Sequence, residues 1–171
     1  MKKVLLSFAM AIGIMSANAQ SSYTSAIGGR IGGYYDLISG SYKTHITEPG
    51  ALEFNLGFRG YKGGGIDWVT VAFSAAYQHH FPIKPVPGLR WYVGGGLTAY
   101  NSFSDYDGLK GFGLGVFPTG GIDYKFEKIP LNLSADVRPT IGVVDPFDGD
   151  GYKYRSFRGD NFGISARYTF R

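Results

Sequence analysis

The chain has no cysteine among its 171 residues. Disulfides are therefore excluded, and no thiol follows the N-terminal apolar run to accept a lipoprotein anchor. No segment beyond residue 15 is long and apolar enough to cross a bilayer as a helix. Charge of either sign is scarce in excess: 17 basic and 13 acidic residues leave a net +4, two of which come from Lys2 and Lys3. The remaining basic residues stand singly along alternating segments. The sequence pI near 9.2 thus gives little reason to expect a nucleic-acid partner. Helical periodicity, an internal domain boundary and a low-complexity tail are also missing.

The N-terminus carries a targeting pattern. Lys2 and Lys3 precede an apolar run, Val4 to Met15, and Ser16-Ala17-Asn18-Ala19 offers small residues at the spacing of a signal-peptidase site. Residues 1–19 are expected to be a cleaved secretory signal, with Gln20 as the mature N-terminus and residues 20–171 as one domain. An exported domain without disulfides needs another source of stability.

What the chain does have is glycine, 27 residues, and an aromatic content of 16%. It also alternates. In Asn161–Arg171, Phe162, Ile164, Ala166, Tyr168 and Phe170 share one face, while small or polar residues fill the other. The same period of two recurs in eight segments: about Ser25–Tyr35, Leu37–Ile46, Ala51–Gly60, Asp67–Phe81, Leu89–Phe103, Phe112–Glu127, Leu131–Val144 and Asn161–Arg171. Pro and Gly mark turns at Thr47–Gly50, Pro82–Gly88 and Glu127–Pro130. Connections near Asp36–Ser39, Tyr61–Ile66, Ser104–Lys110 and Asp145–Asp160 are expected at the opposite end, facing outside.

Alternation alone would also suit a soluble barrel with an apolar interior. The polar face argues against that. It mixes Arg30, Glu53, Arg59, Arg90, Asp123, Lys125, Asp136, Arg138 and Arg167 with many glycines, and glycine weakens a strand that has no need of it. A narrow barrel interior does need small residues beside paired charges. The apolar face carries full-sized Leu, Val, Ile and Phe. Tyr77, Phe81, Trp91, Tyr124, Phe126, Tyr168 and Phe170 gather near the turn ends of their strands, as a periplasmic aromatic girdle would. The fold expected is all-β: an eight-stranded antiparallel up-and-down transmembrane β-barrel.

The segments Ile38-Ser-Gly-Ser-Tyr42-Lys43-Thr-His45, Ala51-Leu52-Glu53-Phe54, His79-His80-Phe81-Pro82, Gly88-Leu89-Arg90-Trp91-Tyr92, Ile129-Pro130-Leu131-Asn132-Leu133 and Arg167-Tyr168-Thr169-Phe170 span most of the chain. In these the chain resembles the small porin-family outer-membrane β-barrels common in Bacteroidetes and, more distantly, the OmpX and OmpA barrels. Arg171 departs from the pattern, since such chains often stop at the aromatic. The resemblance implies a fold and a location in the cell outer membrane of a Gram-negative envelope, and no particular activity.

Motifs for chemistry are weak. His79 and His80 are adjacent in a strand and point to opposite faces, so they do not converge on one metal ion. Asp148-Gly149-Asp150-Gly151 and Asp105-Tyr106-Asp107-Gly108 lack the ligand series of a calcium loop and read as turns. The runs Gly94–Gly96 and Gly111–Gly115 lack a strand-turn-helix context and a following Lys-Ser/Thr, so no nucleotide is expected. No cofactor, metal or catalytic motif is assigned. The expected role is structural or an interaction, with a charged, plugged lumen and outer loops as the contact surface. A small lipid-modifying enzyme and a narrow ion channel are the alternatives. Expected partners are outer-membrane lipid, the barrel-assembly machinery during insertion, and lipopolysaccharide, for which Tyr152, Lys153, Tyr154, Arg155, Phe157 and Arg158 are the candidate contacts.

Overall fold

A computed structural model describes residues 23–33, 35–63, 66–104, 110–144 and 157–170. The expected signal peptide, both Asp-Gly runs, residues 152–155 and Arg171 lie outside the described residues.

Alternation becomes ten strand segments: β1 (Ser25–Gly32), β2 (Ile38–His45), β3 (Gly50–Gly63), β4 (Ile66–Pro82), β5 (Leu89–Ser104), β6 (Gly111–Lys125), β7 (Leu131–Val137), β8 (Thr140–Val144), β9 (Phe157–Arg158) and β10 (Phe162–Phe170). Each pairs antiparallel with its neighbours. The ring closes where β1 meets β10, from Ser25 opposite Phe170 to Gly32 opposite Gly163. β7 and β8 both pair with β6, β8 pairs with β9, and β10 pairs with β7. They are therefore two staves, each interrupted once, and the fold is a closed antiparallel barrel of eight staves.

Two expectations change. The seventh strand is not continuous over Leu131–Val144. Pro139 has no amide hydrogen for the ladder, the Arg138 amide donates instead to the Asn161 carbonyl at 2.8 Å, and the register on β6 slips between Leu114 and Gly115. The first strand ends at Gly32, not at Tyr35, and the connection to β2, at the expected end of the barrel, packs Tyr35 and Asp36 inward. Gly32 donates to the Leu37 carbonyl at 3.1 Å, and the turn folds into the barrel. Tyr35 and Asp36 are buried, with the Tyr35 ring stacked on Tyr100 of β5 at 4.0 Å between centroids.

The burial pattern is that of a soluble protein turned inside out. Ile164 is 68% exposed, Ile31 67% and Phe162 61%, whereas Arg30 and Arg167 are 1% exposed and Glu53 0%. A soluble barrel with an apolar core is inconsistent with this arrangement. The wall suits hydrocarbon, and ring closure leaves no unpaired sheet edge at the seam between β1 and β10.

The ends of the barrel differ. One end, the turn end, carries the turns at 46–49, 83–88 and 126–130, with Tyr23 and Phe170 beside them. Thr24 donates to the Phe170 carbonyl there at 3.0 Å. At the opposite end β3 and β4 extend well past the turn between β1 and β2.

Inward glycines make room for large side chains. A Cβ on Gly121 would lie 2.8 Å from the Tyr92 ring, and one on Gly94 would collide with the Tyr77 carbonyl oxygen across the ladder. Gly40 faces outward with nothing within 4 Å of the same position. Gly94→Ala should therefore destabilise the barrel by about 1–3 kcal/mol through overpacking. Gly40→Ala should be neutral or slightly stabilising, since alanine restricts the unfolded chain. Denaturant midpoints in detergent, read from the mobility shift between folded and unfolded bands, check the contrast.

Candidate functional site: the charged lumen

Inward positions on successive staves project into one narrow space, where charges lose their water. Such charges must pair or be paired by hydrogen bonds. The described residues form two linked clusters.

The first is a belt around Glu53 of β3. Its Oε1 accepts from the Arg138 and Arg167 guanidiniums, each at 2.8 Å, and from Asn55 at 3.0 Å. Its Oε2 accepts from Gln78 of β4 at 2.5 Å. Arg138, next to the break at Pro139, also pairs with Asp136, its Nε lying 3.0 Å from Oδ1. Arg30 of β1 straddles two carboxylates. One terminal nitrogen reaches Asp136 at 2.7 Å and the other reaches Asp36 at 2.7 Å. Burial raises the Asp36 carboxyl above its ordinary range, an effect that the Arg30 guanidinium only partly offsets. Arg167 of β10 completes the belt by donating to Ser41 at 2.8 Å and Ser134 at 2.9 Å.

The second cluster lies toward the turn end, around Asp123 of β6. Lys43 of β2 meets its Oδ2 at 2.6 Å. Asn132 donates to Oδ1 at 2.9 Å, and Arg90 reaches the same oxygen at 3.4 Å. The ammonium of Lys43 also lies 3.0 Å from Nε2 of His80, while Nδ1 of His80 lies 3.3 Å from the Pro49 carbonyl. An ammonium only donates and a carbonyl only accepts. Both contacts are met together by a neutral ring protonated on Nδ1. Asn132 joins the clusters, since its Oδ1 also accepts from Arg167 at 3.4 Å.

Of the nine charged residues expected inside, Arg30, Glu53, Asp136, Arg138 and Arg167 meet in the belt, and Arg90 and Asp123 meet in the second cluster. Lys125 is at the turn-end mouth, donating to the carbonyls of Phe126 and, at 2.9 Å, Ile129. Arg59 is near the other end of β3, half-buried, with its guanidinium 5.4 Å from the Trp68 ring. Lys43, Asn55, Gln78 and Asn132 stand outside that set although each sits at an inward position of an alternating strand, and His80 takes the inward side of the His79-His80 pair. Ion pairing is a property of the ring, and residues adjacent across a lumen are distant in sequence.

Beyond the belt, away from the turn end, the lumen continues toward Arg158 of β9, opposite the inward Thr140, and Arg59 of β3. Tyr35, Ala72 and Tyr100 pack together there, and Thr70 and Ser102 share a hydrogen bond at 2.6 Å. The aromatics named for the girdle are on the outer wall at the turn end. Phe81 stacks on Trp91 at 4.4 Å, Tyr124 meets Phe126 edge to face at 4.7 Å, and Tyr168 meets Phe170 likewise at 5.1 Å. Phe81 is only 6% exposed, because Trp91 and His79 cover it.

No protein-family model and no curated protein sequence matches the chain. Among the solved structures similar in fold are two small proteins. Neisserial surface protein A (NspA) aligns over 85% of this chain and 94% of its own, with 16% identity and a TM-score of 0.47. CarO of Acinetobacter baumannii aligns over 90% of this chain and 100% of its own, with 10% identity and a TM-score of 0.46. The eight-stave assignment rests on the hydrogen-bonded ring itself.

The belt has an asymmetry that stability measurements can detect. Glu53→Gln leaves the buried Arg167 guanidinium with neutral partners only and should cost about 3–5 kcal/mol. Arg167→Met leaves Glu53 held by Arg138, Asn55 and Gln78, and should cost about 1–2 kcal/mol. The double variant should lose less than the sum, because it removes both ends of one pair. Unfolding midpoints of the three proteins in detergent decide this; strict additivity would mean that the pair does not couple.

Proposed function

We propose that this chain is an integral outer-membrane β-barrel protein whose role is structural or an interaction, with a sealed interior and the end opposite the turns as its contact surface. The location is supported by an apolar outer wall on a closed ring, by the aromatic girdle at the turn end, and by the secretory signal expected at residues 1–19. In this reading the turn end faces the periplasm, and lipopolysaccharide is met at the other end, where Phe157 is 57% exposed beside Arg158.

The observation that carries the sealed interior is the belt. Its bonds run between β3 and the two staves containing Arg138 and Arg167, and between β1 and Asp136, at 2.7–2.8 Å. An ion would have to break several charge-assisted contacts at once to pass. Tyr35 and Tyr100 add an uncharged layer beyond it. These contacts favour a rigid post holding its exposed strand ends and loops above the membrane over a narrow channel.

The purified chain in a planar bilayer should show no steady conductance, and a stable ion current would overturn the sealed reading. Cell fractionation should recover it with the outer membrane in a form whose gel mobility changes on heating. Recovery as a soluble periplasmic protein would overturn the membrane reading.

A further inference from the structure

Lumen charge is balanced in the belt and unbalanced at the turn end. The belt sets Arg30, Arg138 and Arg167 against Asp36, Glu53 and Asp136. The turn-end cluster sets Lys43, Arg90 and Lys125 against one buried carboxylate among the described residues, Asp123, with the exposed Glu48 of the neighbouring turn acting on Arg90 from the solvent side. Lys43 already lies 2.6 Å from that carboxylate, and Asn132 holds the oxygen that Arg90 reaches at only 3.4 Å. Lys125 is met by two backbone carbonyls, which carry no full charge. Arg90 is thus a nearly buried cation that shares its buried carboxylate with Lys43, and Lys125 is one held by carbonyls alone among the described contacts.

Both line a cavity of about 730 Å³ that opens between the turn at 83–88, the turn at 126–130 and the end of β10. Exposed Lys84 and Lys128 stand on its rim with a single acid, Glu127. The Arg90 guanidinium is steadied by the Tyr23 ring, 5.6 Å from its centroid, so the fork is held in place before any ligand arrives. Part of the remaining wall is apolar, including Phe126 and Phe170 of the girdle. Arg90 and Lys125 are diagonal neighbours on the inner face of the β5–β6 ladder, and a guanidinium and an ammonium lining one open cavity with few acids suit the chemistry of a phosphate group.

We propose that this turn-end vestibule binds a phosphate group, with Arg90 and Lys125 as its ligands. The phosphate can arrive as a free anion or as the headgroup of a membrane lipid, whose chain would lie against the apolar part of the wall.

The test uses the full chain folded in a maltoside detergent, which carries no phosphate, at low ionic strength. Calorimetric titration with inorganic phosphate should give saturable binding. Arg90→Gln should weaken it at least about tenfold, the scale of one charge-assisted hydrogen bond, and Arg90→Lys should fall between. Lys62→Gln, at the opposite end, removes an exposed charge and should leave binding unchanged. The heat-dependent gel shift reports folding, which Arg90→Gln should retain because Lys43 still neutralises Asp123. Phosphatidylglycerol that displaces inorganic phosphate, when diacylglycerol does not, identifies the lipid headgroup as an occupant; failure of displacement identifies the free anion. No saturable binding by the parent chain, equal binding by Arg90→Gln, or an equal loss in Lys62→Gln would overturn the site.

Discussion

The Glu53 carboxylate accepts from two guanidiniums that arrive on different staves, while a side-chain amide from β4 holds its second oxygen. An isolated carboxylate in so narrow a space would be strongly disfavoured, and so would either arginine. Their mutual satisfaction makes the interior habitable for charge. It also ties β3 to the staves of Arg138 and Arg167 across the lumen, a link that neighbouring-strand hydrogen bonds cannot provide. In a fold without disulfides and with only a small buried apolar cluster among the described residues, these cross-lumen contacts do much of the work that packing does in a soluble domain.

That requirement accounts for details elsewhere. Gly163 and Gly32 flank the Arg30 guanidinium, where any side chain would displace it. Gly121 and Gly113 leave the space that Tyr92 and Tyr100 occupy. The inward fold of the turn between β1 and β2 brings Asp36 to the second nitrogen of Arg30, so one arginine bridges the wall and the turn. Glycine thus weakens individual strands in order to admit large polar side chains, and the ring recovers stability from the contacts those side chains make.

The closed barrel and the identity of its inner face were legible because a strand's two faces alternate, and the described staves follow that rule except at the end of β8, where Val143 and Val144 are both exposed. Arg30, Glu53 and Arg167 announced themselves as charges at inward positions. Their pairing did not, because Arg30 and Asp136 are neighbours only once the ring closes. The break at Pro139 had a visible cause, the proline itself, but its position within a well-alternating segment concealed it. The inward turn had none: Tyr35 continues the alternation past Gly32, and only the stacking partner on β5 explains where its ring goes. Lys43 and Asn132 were hidden for a related reason, since each looks ordinary until Asp123 faces it.

The two clusters divide the molecule's chemistry along its axis. In the belt every described cation has a carboxylate within 2.8 Å, so the charges there are spent on one another and offer nothing to a ligand. Toward the turn end the ratio changes while the geometry remains ordered, with Arg90 held by Tyr23 and Lys125 fastened to the turn that it caps. Unbalanced charge that is fixed in place differs from unbalanced charge on flexible surface side chains, because its ordering cost has been met by the fold. The same exclusion of water that obliges the belt to neutralise itself therefore makes its neighbour at the mouth receptive to an anion from outside the chain.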